Sequence, residues 1–593
     1  MTRFNRQRTK AATRAEIQRE LPGLTRRGVS SPLATGDLWP IPSVEHLRSA
    51  PPPVVRSAGT AKAAPGAAVT NRQGGTGHLR EPKEELFLLA VTHLYGQESF
   101  YEAAAERDER YRRLIREHAV SDPEWTLDLL RRLRTEFRIR TAALVGAAEF
   151  VHARAAAGAA GHSRQAVDAV LQRPDEPGEL LEYWTGRYGR RLPQPLRRGI
   201  GDAVRRLYTG RALLKYDTPS HRFRFGDVLE LTHPAPDPDK PWQGALFRYA
   251  LDRRHHPDRA QPPAGEHLLS AHHALLAVPR ADRRALVTEP GGAQRLADAG
   301  MTWEALAGWL QGPLDAAVWE AVIPSMGLMA LVRNLRNFDQ AGVGDEVAAR
   351  VADRIADGEE VRRSRQFPFR FLAAHRATGS SRWSEALESA LGHSLARVPA
   401  LPGRTLVLVD RSGSMFDRPS ARTRLNRADT AALFGTALAL RAEQADLFQF
   451  GTGNRAVEPE PSVLGTLRLF RNMGGTDTAA VVRRRYREHD RVVVVTDEQA
   501  HQSRADPFAS VPEDVPVYTW NLAGYATGHT APGPHRHTFG GLSDASFELI
   551  PLLESGHPAG HPWERSAPYT ARPVTVAPGP VSSGQACSVG GAS

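Results

Sequence analysis

Apolar residues in the first large part of the chain recur three and four positions apart, which is the spacing of one helix face. This pattern predicts amphipathic helices joined by short turns, and convincing strands are absent from it. The predicted helices are 84–94, 100–120, 123–138, 141–157, 163–171, 177–188, 193–207, 224–231, 242–253, 266–276, 303–310 and 316–322. Such a series indicates stacked helical pairs, as in a HEAT-like solenoid or ring, although no clean repeat period is visible.

A different pattern begins after the Pro- and Gly-containing segment 399–403. Short apolar runs, typical of buried parallel strands, now alternate with helical segments. The predicted strands are 405–409, 446–450, 492–496 and 515–521, and the predicted helices are 426–444, 478–488 and 543–553. This alternation predicts an α/β doubly wound sheet.

Both ends of the chain are rich in Pro, Gly and other small residues and show no sustained period. Residues 1–70 are therefore predicted to be a disordered basic arm, and residues 556–593 a disordered tail. The arm either touches nucleic acid weakly or is a solvated tail without a role. The predicted folded domains are then 71–398, which is helical, and 399–555, which contains the sheet.

Oxygen-bearing side chains follow two of the predicted strands. Asp410 ends the first strand and is followed by Ser412 and Ser414, whereas Asp497 ends the strand 492–496. A glycine-rich loop between them carries Thr476. Because ligands bind at the carboxyl ends of strands in such sheets, these side chains are expected to meet. Hard divalent cations, above all Mg²⁺, prefer oxygen ligands of this kind.

The order D-x-S-x-S, then T, then D resembles the metal-ion-dependent adhesion site (MIDAS) of von Willebrand factor A (vWA) domains. The resemblance implies a divalent cation, expected to be Mg²⁺, with one open coordination position for an acidic group of a partner. Arg411 stands where that family usually has a small apolar residue, and its side chain is expected to face away from the ion. The simpler interpretation is that Asp410 and Asp497 only cap the helices that follow.

The charge balance favours an anionic partner. The net charge is +11, and almost all of the positive charge is arginine, an excess that a GC-rich genome could also produce. The single cysteine, Cys587, excludes an internal disulfide framework. The N-terminus lacks the apolar segment of a secretory signal, and no run reaches the roughly 18 apolar residues of a membrane span. A cytoplasmic location is therefore expected, with no membrane partner.

Six segments, taken in order, resemble the TROVE-module Ro autoantigen family of RNA-binding proteins. They are 71–75 (NRQGG), 134–144 (RTEFRIRTAAL), 213–234 (LLKYDTPSHRFRFGDVLELTHP), 324–338 (PSMGLMALVRNLRNF), 366–369 (QFPF) and 519–525 (TWNLAGY). The resemblance spans about residues 71–555. It implies a monomeric helical-repeat ring closed by the A-type domain, with a small noncoding Y-like RNA on the outer surface. Single-stranded 3′ ends of misfolded RNA would enter a central hole, and a ribonuclease is a partner that bacterial relatives suggest.

The same resemblance implies RNA contacts at named positions. Lys215 and His233 match the phosphate-contacting pair of the family, although His233 could instead cap a helix by bonding backbone carbonyls. A turn at 218–220 replaces a usual arginine, for which His221, Arg222 and Arg224 are candidate substitutes. Two further pairs of cations could contact RNA or be solvated or paired to acids: Arg138 with Arg140, and Arg333 with Arg336.

Enzyme motifs are not visible in the sequence. No lysine follows Lys240, which excludes a phosphate-binding loop in the sheet domain, and the H-E-x-x-H zinc motif is missing. The histidines at 535 and 537 were predicted to lie in a loop. No catalytic activity is expected. The competing hypotheses are a protein-adhesion scaffold that binds an acidic partner through Mg²⁺ without RNA, and, less strongly, a chaperone-like subunit of a metal-chelatase or ATPase assembly.

Overall fold

The computed structural model describes residues 67–71, 75–91, 103–366, 368–395, 398–417, 425–500, 506–525, 527–530, 533–542, 544–554 and 563–564. The predicted basic arm up to residue 66 and the predicted tail from residue 565 lie outside these residues. No helix in the described part of the chain has the length and apolar character needed to cross a membrane.

The first region is helical, as its apolar spacing predicts. Its helices are α1 (Pro82–Val91), α2 (Ala104–Ser121), α3 (Pro123–Thr135), α4 (Thr141–Ala156), α5 (Ser163–Val170), α6 (Glu176–Tyr188), α7 (Gln194–Leu207), α8 (Gly210–Tyr216), α9 (Phe225–Thr232) and α10 (Gln243–His255). The series continues with α11 (His267–Leu276), α12 (Arg280–Thr288), α13 (Gly292–Asp298), α14 (Trp303–Leu310), α15 (Ala316–Val322), α16 (Leu328–Ala341), α17 (Asp345–Ala356), α18 (Gly358–Ser364), α19 (Pro368–Thr378) and α20 (Ser384–Leu395).

Local side chains set the ends of several of these helices. Asp122 accepts a hydrogen bond from the backbone N–H of Trp125, and Pro123 occupies the first turn of α3. Thr209 caps α8 in the same way through Ala212. Gly342 ends α16 with a φ of 72°, a conformation that glycine adopts without steric cost. These short-range signals define individual helix ends, but the predicted helices omit α8, α12, α13 and α17 to α20.

The second region is a six-stranded sheet. Its strands are β3 (Leu401–Asp410), β4 (Ala442–Phe450), β5 (Asn454–Ala456), β6 (Arg491–Thr496), β7 (Val517–Asn521) and β9 (Arg536–Gly540), and they lie in the order β5-β4-β3-β6-β7-β9. All neighbours are parallel except β4 and β5. The helices of this region are α21 (Arg427–Arg441), α22 (Val463–Arg468), α23 (Thr478–Arg485) and α24 (Asp544–Glu554). The doubly wound sheet is confirmed.

The two faces of the sheet belong to different cores. Val407 and Val409 of β3 pack into a core that also contains the buried residues of α14 to α20. Leu406 and Leu408, which point to the other face, pack with Val492 and Phe508. The later helices of the first region therefore share one hydrophobic core with the sheet, and this fixes where the carboxyl ends of the strands lie relative to those helices.

A small second sheet corrects the expectation that the helical region lacks strands. β1 (Ala68–Thr70) pairs with β2 (Thr76–Leu79), and β2 pairs with β8 (Thr527–Gly528) of the sheet domain. Residues 68–70 were predicted to belong to the disordered arm. They form a strand because β2 pairs with them, and β2 in turn pairs with β8, a segment more than four hundred positions away. Local composition does not reveal such distant partners.

Three further predictions were wrong in detail. The segment with histidines 535 and 537 contains strand β9 rather than a loop. The predicted helix 426–444 ends at Arg441, and β4 begins directly after it. Trp563, predicted to lie in the disordered tail, is buried, and its carbonyl accepts a 2.6 Å hydrogen bond from the indole N–H of Trp125.

Candidate metal centre and nucleic-acid interface

The carboxylate of Asp410 is fixed at the carboxyl end of β3. It is fully buried, and its Oδ1 accepts the backbone N–H of Ser412 at 2.8 Å. Its Oδ2 accepts the hydroxyl of Thr496, the last residue of β6, at 2.6 Å. The bond to Ser412 is local, whereas the bond to Thr496 follows from the parallel pairing of β3 with β6, which places the ends of the two strands side by side.

Backbone hydrogen bonds hold the glycine-rich loop against the segment after Asp410. The N–H of Gly413 donates to the carbonyl of Gly474 at 2.7 Å, and the N–H of Met473 donates to the carbonyl of Arg411 at 2.9 Å. Gly474 has a φ of 83°, so a side chain there would strain the loop. These contacts bring the loop that carries the buried Thr476 next to the Ser412 segment.

Asp497 contributes the second buried carboxylate. Its Oδ1 accepts the N–H of Gln499 at 3.3 Å. Its Oδ2 is buried and accepts no hydrogen bond from the described residues. Burial, together with the negative charge of Asp497, raises the pKa of Asp410 to about 7, and burial also raises the pKa of Asp497. An all-oxygen set with one orphaned carboxylate oxygen fits a hard divalent cation.

Arg411 does not direct its charge into this oxygen set. Its Nε donates to the carbonyl of Arg471 at 3.1 Å, and its guanidinium lies 4.7 Å from the ring centroid of Phe416. A second ring, Phe470, lies 5.7 Å away. Burial lowers the pKa of Arg411 to about 10. The aromatic and carbonyl contacts explain how a cation is accommodated at the second position of the loop.

A buried ion-pair network connects the residue after Asp497 to the start of the helical region, and no local sequence pattern indicates it. Arg80 forms ion pairs with Glu84, at 2.6 Å, and with Glu498. Glu498 also accepts hydrogen bonds from the side chain of Asn521, at 2.7 Å, and from the N–H of His529, at 3.0 Å. The backbone that carries Asp497 is thereby tied to residues that precede α1.

Four of the predicted RNA-binding residues lie at the turn between α8 and α9 or at the end of α9. Lys215 and Arg222 are exposed and flank the turn between α8 and α9. The Nζ of Lys215 lies 5.2 Å from the ring centroid of Tyr216, and the guanidinium of Arg222 lies 5.7 Å from that of Phe223. His221, in the same turn, is half-buried. This turn, residues 215–223, therefore presents cations beside partly accessible aromatic rings.

His233 is also exposed and lies at the other end of α9. It ends the helix in a left-handed conformation with a φ of 47°, so the predicted helix-end position is observed. Its backbone N–H donates to Leu229 at 2.9 Å, whereas its imidazole bonds no carbonyl among the described residues. The capping role of the imidazole, which the sequence left open, is thus not observed.

Two predicted RNA-binding arginines are held in ion pairs, which for Arg140 is one of the alternatives that the sequence left open. Arg224 binds the buried carboxylate of Asp217 through two nitrogens, at 2.7 and 3.3 Å. Arg140 is 11% exposed and bonds Asp175 at 3.0 Å and Glu176 at 3.2 Å. The acids that engage these arginines come from α6 or from segments beside the helices, so only the packed structure reveals them.

The remaining three candidates have different surroundings. Arg138 is exposed and donates to the carbonyl of Arg365 at 3.1 Å. Arg333 is half-buried on α16 and has contacts of its own. Arg336, three residues further, is exposed on the same face of the helix. Of this set, Arg138 and Arg336 are both exposed.

Comparison with known proteins agrees with this architecture. Residues 296–403 match the family model of the TROVE domain. The chain is 32% identical over 119 residues to the RNA-binding protein RO60 of Caenorhabditis elegans, and 31% identical over 112 residues to telomerase protein component 1 of Mus musculus. These alignments cover 18% of this chain in each case, and 18% and 4% of the respective relatives.

The solved structure of the Ro (RSR) protein of Deinococcus radiodurans is similar to most of this chain. It superimposes with a TM-score of 0.56 at 18% identity, over 80% of this chain and 100% of that one. Residues 296–403 thus match the TROVE domain, and the fold is similar to that of a Ro protein. The predicted fold class, a HEAT-like helical region followed by a vWA-type domain, is confirmed.

The TROVE match occupies only part of the helical region. It begins within α13 and ends in the first residues of β3, so it contains Arg333 and Arg336. The exposed turn 215–223 and all five candidate metal ligands lie outside it. The roles of those residues therefore depend on the geometry described above rather than on the family match.

Proposed function

We propose that this protein binds RNA, with a small structured noncoding RNA of the Y-like type on the surface that contains Lys215 and Arg222. Single-stranded 3′ ends of misfolded RNA would enter a central hole of the helical ring, as the Ro resemblance implies. The protein would act in RNA stability or quality control in the cytoplasm, as a monomer, without catalysing a reaction.

The observation that carries the proposal is the turn 215–223. Lys215, His221 and Arg222 have no acidic partner among the described residues, whereas neighbouring arginines such as Arg224 do. Cations without carboxylate partners are free to bind phosphates, and each phosphate contact releases counterions. The half-buried rings of Tyr216 and Phe223 add flat surfaces on which unpaired bases can stack. A relative whose name includes RNA binding supports this assignment.

The experiment compares RNA binding by the wild-type protein and the double variant Lys215→Ala/Arg222→Ala. The probe is a small structured RNA with a single-stranded 3′ end, and binding is measured over a range of salt concentrations. Each lost phosphate contact should reduce the slope of log affinity against log salt by about 0.7 to 0.9. The double variant should therefore lose about 1.5 from this slope and bind at least about tenfold more weakly at low salt.

The matched control is Arg350→Ala/Arg362→Ala. Both arginines are 61% exposed, and each pairs with an acid on its own helix, so this variant removes the same number of surface charges elsewhere. Its affinity and salt slope should stay close to those of the wild type. If the double variant and the control bind RNA equally well, the turn 215–223 is not the RNA-binding surface.

The vWA-type domain is proposed to hold a divalent cation, Mg²⁺ by its donor chemistry. Asp410, Ser412, Ser414, Thr476 and Asp497 would be the residues that hold it. The cation would offset the repulsion of two buried carboxylates and offer an open position to an acidic side chain. The support is the orphaned Oδ2 of Asp497, since a buried carboxylate oxygen without a partner costs free energy.

That open position favours a second candidate function, a metal-dependent adhesion scaffold. In this role a protein partner, for example a ribonuclease, would supply a carboxylate to the cation. RNA-free protein would then bind such a partner in Mg²⁺ and release it when the metal is chelated. Binding that survives both chelation and the Asp410→Asn substitution would exclude the metal site as the docking point.

A further inference from the structure

A cavity of about 870 Å³ lies at the end of the large sheet opposite the metal centre. Its walls include Arg491, Tyr518 and His537, which lie at or near the amino ends of β6, β7 and β9. The start of α1 and the buried Trp563 close other sides. Its volume falls within the roughly 300 to 1,000 Å³ of small-molecule sites.

The charge of this cavity is opposite to that of the chain. Six carboxylates line it, against one arginine and two histidines, in a protein of net charge +11. The lining carboxylates are Glu81, Glu84, Asp490, Asp514, Glu554 and Glu564. The single arginine, Arg491, donates two hydrogen bonds to the carboxylate of Glu554, at 2.6 and 2.8 Å. The cavity therefore repels phosphates and attracts cations.

One carboxylate oxygen at the cavity is buried without a partner. Glu84 is 4% exposed; its Oε1 pairs with Arg80, whereas its Oε2 accepts no hydrogen bond from the described residues. Glu81 and Asp514 are exposed and form no ion pair in the described part of the chain. A buried oxygen acceptor of this kind needs a donor, and a ligand that enters the cavity can supply one.

The spacing of these acids selects the kind of cation. Among the described residues, no three of the cavity carboxylates bring their oxygens within 4.8 Å of one another, so they do not converge on one metal ion. A ligand with several separated positive charges matches such a distribution. Tyr518, stacked on His537 with ring centroids 5.3 Å apart, and Trp563 provide apolar surfaces between the acids.

We propose that this acidic cavity binds a linear aliphatic polyamine. Its ammonium groups hydrogen-bond Glu84, Glu81 and Asp514, and its methylene chain lies along Tyr518 and Trp563. An ammonium group carries three donors and suits carboxylates that are only partly satisfied. The site is separate from the metal centre and from the turn 215–223, so it does not rest on the proposed RNA-binding function.

The test uses the full chain, freed of nucleic acid, and isothermal titration with spermidine at moderate salt. One spermidine should bind per chain, and propylamine, with a single charge, should bind at least about tenfold more weakly, a difference of about 1.4 kcal/mol. The variant Glu81→Gln/Asp514→Asn removes two exposed carboxylates without touching an ion pair of the described residues. It should lower the affinity for spermidine about tenfold or more.

The matched control is Glu304→Gln/Glu458→Gln, which removes two exposed carboxylates elsewhere and leaves the net charge equal to that of the test variant. It should bind spermidine as the wild type does. A third variant, Glu84→Gln, removes the buried charge, and its circular dichroism spectrum checks that it folds. The proposal is overturned if wild-type protein shows no saturable binding, or if both double variants bind equally. It is also overturned if a lysine-rich peptide binds at the cavity and spermidine fails to compete.

Discussion

The buried pair of Arg80 and Glu498 makes a sharp prediction about stability. The side chains are 4% and 2% exposed, and they link the segment before α1 to the residue that follows Asp497. Replacing Arg80 with Met keeps the aliphatic volume but leaves the carboxylate of Glu498 buried without its cation. Breaking one side of such a pair costs about 3 to 5 kcal/mol, because the remaining charge is uncompensated.

The cost should depend on pH in a defined direction. Burial alone would raise the pKa of Glu498, but the charge of Arg80 and hydrogen bonds to the carboxylate outweigh it, so the pKa is lowered. A lowered folded-state pKa contributes stability above the unfolded value of about 4.3, which is lost as the pH falls through the folded value. In Arg80→Met the Arg80 contribution disappears, so the penalty should be largest near neutral pH and shrink on acidification.

Urea unfolding followed by tryptophan fluorescence measures this penalty. The double variant Arg80→Met/Glu498→Gln should lose less stability than the sum of the two single variants, since both then lack the same interaction. The control is Arg113→Met, whose pair with Glu117 is 44% and 46% exposed and should contribute below about 1 kcal/mol. A penalty for Arg80→Met no larger than that of Arg113→Met, or one independent of pH, would refute the reasoning.

Three other predictions concern the metal centre and the packing. Asp410→Asn should abolish the rise in melting temperature that Mg²⁺ causes in the wild type. At a Mg²⁺ concentration one hundred times the Kd, this stabilisation is about 2.7 kcal/mol. The variant Glu458→Gln, which changes an exposed carboxylate of the same domain, should retain it. Arg140→Met should lower the free energy of unfolding in urea by about 3 kcal/mol, because the charge of Arg140 is paired with buried acids. For the same reason it should leave the salt dependence of RNA binding unchanged. A reduced salt slope would contradict this. Trp563→Ala should lower the free energy of unfolding by about 3 to 5 kcal/mol, since its side chain is buried against the helical region, and an unchanged midpoint would show that this packing does not stabilise the protein.

The candidate metal centre and the buried network of Glu498 meet at neighbouring residues. Asp497 supplies the orphaned oxygen, and the next residue is clamped by Arg80 and by Asn521. The backbone at this point is therefore held from both the helical region and β7. Such support is what a preorganised ligand site requires, because ligand oxygens must stay in place when the cation is exchanged.

Local patterns in the sequence were sufficient for much of the fold. The apolar runs that became β3 and β6 are buried along most of their lengths, and such runs specify parallel strands without reference to the rest of the chain. Caps such as Asp122 and Thr209 act over three residues, so the start of a helix is also determined by local sequence. Because Asp410 and Asp497 directly follow strands that pair in parallel, their meeting could be predicted from order alone.

The tertiary structure decided what depends on distant partners. β9, with the sequence RHTFG, carries no strong strand pattern and becomes a strand because β7 offers an edge to pair with. The sequence offers Arg224 and Arg140 as candidate RNA-binding cations. In the structure they are paired with acids, Arg224 with Asp217 and Arg140 with Asp175 and Glu176. Side-chain period and spacing encode which face of an element is apolar, but not which element lies opposite. The sequence of this protein therefore determined many of its elements and the meeting of its candidate oxygen ligands, which depend on local patterns and strand order. Its ion pairs, and hence which of its many arginines remain available to a ligand, were determined only by packing.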